Sequence, residues 1–402
     1  MHATRFPFIF LILLAAGCSA IPAPTPTSAP TLSIQPTLAL VNARLIDGTG
    51  ATPLLDAVVL IGEGKIAAVG SHQQVPIPTG VQTIDLGGRT ALPGLFNAHV
   101  HGAVNEDRLA TWAKNGVTTV CDMAAGGTSY QSVFTFRDSA RSRPELARLA
   151  AAGPMITVPG GYPIAYWGGS GLTATSPEEA VQLTNALLDA GADYIKIPLE
   201  SGAIFRQVMP MHSPEQAKAI VDAAHQRHSK VAVHISISAD LEKALNCGAD
   251  TIAHMSTDRV PDALMQRMVA QGVYWIPTLE LWEKVGPFAA PVEENLKRYA
   301  AAGGKVALGT DFLGAPNIDF DEGMPVFEIS RMQAAGMSPM QIIVAATQNA
   351  AQVCNQQDVT GTLQAGKAAD LIVTRADPLD DLAALQNLWL VIHGGIVIQD
   401  GR

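Results

Sequence analysis

Apolar residues at positions 38–41, 57–61 and 65–69 come in short β-type runs parted by Gly and Pro. The same rhythm returns near the C-terminal end, at 370–373, 390–392 and 396–398. Neither segment alone holds enough strands for a stable sheet, so the pattern predicts that they pair into one small β-domain. From Pro93 to Gly361 the rhythm changes, and apolar strands alternate with amphipathic helices. Strands are predicted at 94–100, 118–121, 155–158, 194–197, 231–235, 251–253, 273–276 and 306–308. Helix starts are legible in Ser176-Pro177-Glu178-Glu179, Ser213-Pro214-Glu215 and Ser338-Pro339. There a capping Ser precedes a first-turn Pro, followed by acids in the first two.

Units of roughly 30 residues are the length of a strand–helix–strand repeat, and eight of them fit a (β/α)8 barrel. A doubly wound open sheet is the competing architecture, but no GxGxxG follows an early strand. The expected fold is therefore α/β: a (β/α)8 TIM barrel over 92–361, with a small β-sandwich domain formed by the terminal segments 37–91 and 362–402.

The chain start is a different material. Arg5 precedes an apolar run, 6–16, that is too short to span a bilayer and has the flanks of a secretory segment. It ends in Ala15-Ala16-Gly17-Cys18, similar to a bacterial lipoprotein cleavage box. Residues 1–17 are thus expected to be a lipoprotein signal peptide and Cys18 the lipidated residue, with export to the cell envelope. The alternative is simple export with Cys18 incidental. Residues 18–36 are Pro-rich and read as a semi-stiff tether. Cys121, Cys247 and Cys354 each sit in apolar stretches without a CxxC, so buried free thiols are expected rather than a disulfide framework.

Composition excludes some partners. With 48% hydrophobic and 15% charged residues, the 402-residue chain is a packed protein. Its formal charge of −10 lacks the clustered Lys and Arg that nucleic acid requires. A small-molecule substrate is expected, with membrane contact only through the lipid anchor; homo-oligomer formation stays open.

The candidate chemistry lies where strands end. His99 and His101 close the first strand, and alternate strand residues point the same way. Lys196 ends the fourth strand, His234 the fifth, His254 the sixth and Asp311 the eighth, in Leu308-Gly-Thr-Asp311. Strand C-termini of a barrel converge on one face. His225 and His228, three apart on a helix, read instead as surface residues. Lys196 is the odd member, because an ammonium inside an apolar strand pays for desolvation. A neutral amine there could react with carbon dioxide to give a carbamate.

This order, HxH…K…H…H…D, resembles the amidohydrolase superfamily in its binuclear, carboxylated-lysine branch. Segments 42–49 and 92–95 resemble its opening motifs; Thr347-Gln-Asn-Ala-Ala351 and Gly366-Lys-Ala-Ala-Asp-Leu371 resemble its closing ones. Imidazolonepropionase-like proteins and Xaa-Pro dipeptidases are nearest in style. The resemblance implies two divalent metal ions, zinc by preference, one on His99, His101 and Asp311 and the other on His234 and His254. Carboxylated Lys196 and a hydroxide would bridge them, and Asp311 would move the proton. It implies hydrolysis of an amide, peptide or cyclic amide. Dipeptidase, lactonase or phosphotriesterase activity on the same site, a mononuclear deaminase, and a non-catalytic binding protein are the alternatives. Asn97 stands where many relatives have Asp and should act at one remove from the metal. Tyr162, Tyr166, Trp167 and Phe312 are candidates to line the substrate pocket, and Arg206 or Arg259 to bind a substrate carboxylate.

Overall fold

A computed structural model describes residues 1, 34–125, 129–168, 171–314 and 318–402, the Trp167 side chain excepted. The expected signal peptide, Cys18 and most of the tether lie outside the described residues. Residues Ile34–Arg402 form a compact α/β unit. Among the described residues, no helix is long and apolar enough to cross a membrane.

The terminal segments do pair. Strands Leu38–Leu45, Leu54–Gly62, Lys65–Ser71, Gln82–Asp85 and Thr90–Pro93 share one eight-stranded sheet with Leu371–Thr374, Leu388–His393 and Ile396–Asp400. The seam is the antiparallel pairing of Thr90–Pro93 with Leu371–Thr374. Its apolar face is a separate core containing Leu40, Val59, Ile61, Leu371 and Ile392.

Between them, among the described residues, two sheets hold eight parallel strands, labelled here β1 (Leu95–Val100), β2 (Val117–Asp122), β3 (Arg148–Ala151), β4 (Ile195–Pro198), β5 (Val231–His234), β6 (Thr251–Ala253), β7 (Tyr274–Ile276) and β8 (Lys305–Val306). They pair as β1-β2-β3 and β4-β5-β6-β7-β8. Backbone bonds join both ends of these two sheets. Asp193 N–H donates to Ala151 O at 3.0 Å, and Ala98 N–H to Leu308 O at 2.8 Å. The third strand corrects the sequence expectation. Residues 156–157 pair instead with Leu172–Thr173 in a two-stranded side sheet, and Arg148–Ala151 pairs with β2. Residues 148–151 read as helix formers, but the inward face of a closely curved sheet needs small side chains, and tertiary demand overrides propensity.

Alternation along the strands sorts two cores. Ile195, Ile197, Val231 and Val233 pack outward among the helices. Phe96, Ala98, Cys121, Ala150, Tyr194, Ala232 and Ala307 face inward, against Ala350, Val353 and Cys354 of the C-terminal helical stretch. Here lies a second correction: Cys121 and Cys354 form a disulfide, Cα–Cα 6.0 Å, across 233 residues of sequence. Sequence separation hid the pair, because only the fold brings the last helix against β2. Cys247 remains a free, buried thiol, as expected. The helix starts hold as read. Ser176, Ser213 and Ser338 each accept the N–H three residues on, the last two in reciprocal capping boxes.

Candidate metal centre

Lys196 is the second residue of β4, in the same inward phase as Tyr194. His234 is the last residue of β5, His254 the first beyond β6. In β1 the pairing register shifts between Asn97 and Val100. Such a break re-aims side chains, here passing the inward phase from Phe96 and Ala98 to His99 and His101. Asp311 lies beyond β8, in a segment laid against β1 through Asp311 N–H to His99 O at 2.8 Å. Only glycine permits that approach at Gly309, whose Cβ would stand 2.8 Å from His99 N and 2.6 Å from Ile276 Cγ2. His254, Thr278 and Asp311 all hold left-handed backbone, φ 72°, 49° and 59°. That conformation costs a non-glycine residue about 1–3 kcal/mol and gathers at functional sites.

The side chains converge. His99 Nε2 and His101 Nε2 each lie 3.0 Å from Asp311 Oδ1. Yet His99 Nε2 and Asp311 Oδ1 are buried without a hydrogen bond of acceptable geometry. They aim at a common point rather than at one another, and ligand atoms of His99, His101 and Asp311 lie within 4.8 Å of one another, able to hold a metal ion. The His99 and His254 rings are 4.7 Å apart, as are those of His254 and His234. Both nitrogens of His234 and the Nζ of fully buried Lys196 also lack hydrogen-bond partners.

Burial sets the charge states. It pushes His99 down to about 3, outweighing the attraction of Asp311, and lowers His234 and His254 as well. It brings Lys196 down to about 7, offset only in part by Asp311. For His101 burial also acts downward, but the Asp311 carboxylate beside it wins and raises it. Asp311 itself would be raised by burial, yet the surrounding imidazoles hold it well below the ordinary carboxylate range. Three imidazoles biased toward neutrality, a fourth paired with the Asp311 carboxylate, and an amine biased toward neutrality are a donor set for a divalent transition metal.

Neighbouring side chains hold these groups. Asn97 bonds the segment that carries Asp311: its Nδ2 donates to Thr310 Oγ1 at 2.9 Å, and its Oδ1 accepts Thr310 N–H at 3.1 Å. Thr278 Oγ1 lies 3.1 Å from His254 Nδ1. Glu200, absent from the sequence reading, is fully buried with Oε2 3.4 Å from His234 Nε2, and it accepts hydrogen bonds from Ser236 and Gly202. Its one sequence signal is an acid closing the apolar run 195–199.

The remaining candidates divide. The Tyr162 ring stacks on His234, centroids 4.1 Å apart at 12°, and Tyr166 packs on Phe205 at 4.1 Å. Phe312 is core, edge-on to Trp112 and Phe320. Arg259 is committed to Asp262 at the surface, 3.2 Å away, and Arg206 is exposed, so neither arginine is gathered into the cluster. The Trp167 side chain lies outside the described residues. His225 is a surface residue as expected, 2.8 Å from Asp250.

A family model described as "Amidohydrolase family" matches residues 90–397. An ochratoxinase from Aspergillus niger is 27% identical over 412 residues, spanning 87% of this chain and 83% of that protein. An imidazolonepropionase from Deinococcus deserti is 27% identical over 83% of this chain and 88% of its own. The crystal structure of a Xaa-Pro dipeptidase with bound methionine shares the fold, with a TM-score of 0.75 at 24% identity, over 90% of this chain and 99% of that one.

Proposed function

The chain belongs to the amidohydrolase family, enzymes that hydrolyse carbon–nitrogen bonds, and from that premise we propose that it cleaves an amide, peptide or cyclic amide with two divalent metal ions, zinc by preference. His99, His101 and Asp311 would hold one ion, His234 and His254 the other, with Lys196, carboxylated, between them. We read the eight parallel strands as a closed (β/α)8 barrel over 92–361 and the terminal sheet as the β-sandwich of 37–91 and 362–402. The observation that carries the proposal is the set of buried, unpartnered nitrogens and oxygens aimed inward at one strand end. A structural histidine cluster would have its ring nitrogens bonded.

Metal ions bound there would supply Lewis acidity and bring the ionisation of water toward neutral pH. The protein's own groups do the rest. Asp311, kept ionised by the imidazoles, accepts the proton lost by the attacking water and returns it to the leaving nitrogen. Thr278 Oγ1 bonds the His254 ring, and the Glu200 carboxylate stands 3.4 Å from His234 Nε2, where it attracts that ring. Lys196 Nζ, unpartnered and biased to the free amine, is the form that adds carbon dioxide.

The location belongs to the same reading: export, a lipid anchor at Cys18 and a tether to residue 36. The Cys121–Cys354 bridge supports it from a separate direction, since structural disulfides persist in oxidising compartments. The test is elemental analysis of protein loaded with zinc in bicarbonate, followed by hydrolysis of dipeptide, N-acyl amino acid and cyclic amide panels. Two ions per chain and chelator-sensitive cleavage are expected. Less than about one ion per chain after loading refutes the centre.

A further inference from the structure

The loops above the candidate centre carry a second pattern that the metal chemistry leaves unused. The Tyr162 ring lies nearly parallel to the imidazole of His234, 4.1 Å away at 12°. Phe205 continues the stack, 6.0 Å from Tyr162 at 23°, and Tyr166 lies 4.1 Å from Phe205. The series leads outward: His234 is 5% exposed and Tyr166 49%, with Tyr162 and Phe205 half-buried between them. Three aromatic rings thus lead from the His234 end of the site to solvent, where a packed core would have enclosed them.

Both loops that carry the rings are pinned. Thr157 Oγ1 donates to Tyr162 O at 2.7 Å. A Cβ on Gly161 would stand 2.9 Å from Pro210 O, so the two loops lie in contact. Ser201 donates through its N–H and Oγ to Asp240 Oδ2, and Gly202 N–H to Glu200 Oε1. Gln207 N–H returns to Gly202 O and Met209 N–H to Ser201 O, closing the turn that presents Phe205. A surface fixed before binding spares the ordering cost that a mobile loop incurs.

We propose that Tyr162, Phe205 and Tyr166 form a preformed shelf for a planar aromatic acyl group of the substrate. This rests on the hydrolase reading above. Asp311, which serves the leaving nitrogen, stands with His99 and His101, while the shelf adjoins His234; the acyl part therefore lies on the rings. Flat aromatic groups gain from offset stacking beyond the area they bury, which aliphatic chains of the same size do not.

The test compares metal-loaded wild type with Phe205→Leu and Tyr162→Leu on N-benzoyl- and N-hexanoyl-glycine, and measures calorimetric binding of benzoate and hexanoate. Wild type should favour the benzoyl substrate roughly tenfold in kcat/KM, and the ratio should fall toward one in each variant. Phe205→Leu does not touch His234, so it keeps the test decisive if Tyr162→Leu loses metal. Hydrolysis of both substrates without aromatic preference, or a preference that survives both substitutions, overturns the shelf and leaves the hydrolase reading intact. No hydrolysis, with benzoate bound in preference and the preference lost in Phe205→Leu, supports the shelf and overturns the hydrolase reading. Neither hydrolysis nor preferential benzoate binding overturns both.

Discussion

Breaking the Cys121–Cys354 bridge should lower stability without dismantling the candidate centre. The bridge spans 233 residues, and chain entropy for a loop of that length gives about 5 kcal/mol, with measured bridges typically delivering about 2–4 kcal/mol. For the unit Ile34–Arg402, an unfolding entropy of about 2.1 cal/mol/K per residue amounts to roughly 0.8 kcal/mol/K. Losing the bridge therefore lowers Tm by about 3–6 °C. The Cys121→Ala/Cys354→Ala variant avoids leaving loose thiols in the inward core, where both residues are fully buried among Ala98, Ala150 and Ala232. Thermal melts by circular dichroism, with and without reductant, read the effect: wild type shifts with reductant and the double variant does not. Non-reducing peptide mapping identifies the 121–354 cross-link directly. A wild-type Tm that reductant leaves within 1 °C, or mapped peptides carrying free thiols after purification from an oxidising compartment, would refute the reasoning.

Lys196→Ala should leave the fold intact, because a buried amine without a partner contributes no bond, yet it should abolish metal-dependent turnover; full activity with two ions per chain would remove the bridging role. Glu200→Gln should weaken metal binding by about 10–100-fold, the usual effect of removing a carboxylate that orients a ligand histidine. Isothermal titration with zinc reads that change, and unchanged affinity would leave Glu200 a loop-holding residue only. Asp370 is buried, which acts to raise its pKa, but His393 and Arg148 hold it below 3.8. It thus adds stability above about pH 4 that is lost as pH falls through its folded value. Asp370→Asn should be less stable than wild type at pH 7, with the gap closing below about pH 4 in urea melts. A gap that does not narrow at all as pH falls from 4 into the acid range contradicts the ion-pair account.

The sequence carried what local pattern and residue chemistry can carry. The Ser-Pro helix starts at Ser176, Ser213 and Ser338 are local, and all three caps form. The pairing of the terminal segments was legible because each had strands but no partner. What it hid depends on tertiary demand. Arg148–Ala151 is a strand of helix-forming residues, chosen because small side chains fit the inward face. The Cys121–Cys354 bridge joins β2 to the last helix, and no spacing rule connects residues so distant. Glu200 sits on a loop, where periodicity is silent; only its burial against His234 marks it. The aromatic members Tyr162 and Tyr166 were visible as residue types, but their stacking order and the part of Phe205 were not.

The holding contacts also single out one member of the centre. His99 and Asp311 are tied together through the backbone of β1 and the Asn97–Thr310 pair. His254 is hydrogen-bonded by Thr278 and His234 stands beside the Glu200 carboxylate, neighbours that are not themselves candidate ligands, as expected of side chains that would bind metal unchanged. Lys196 has no such holder: its Nζ is buried and makes no hydrogen bond. A lysine kept only for packing would be replaced without loss by an apolar residue, since burying an unpaired amine is costly. Retaining it, free and biased toward neutrality, makes sense if the amine is a precursor that acquires its partners only after reaction. On this argument the lysine is the residue whose replacement separates a binuclear hydrolase from a site that needs a single ion.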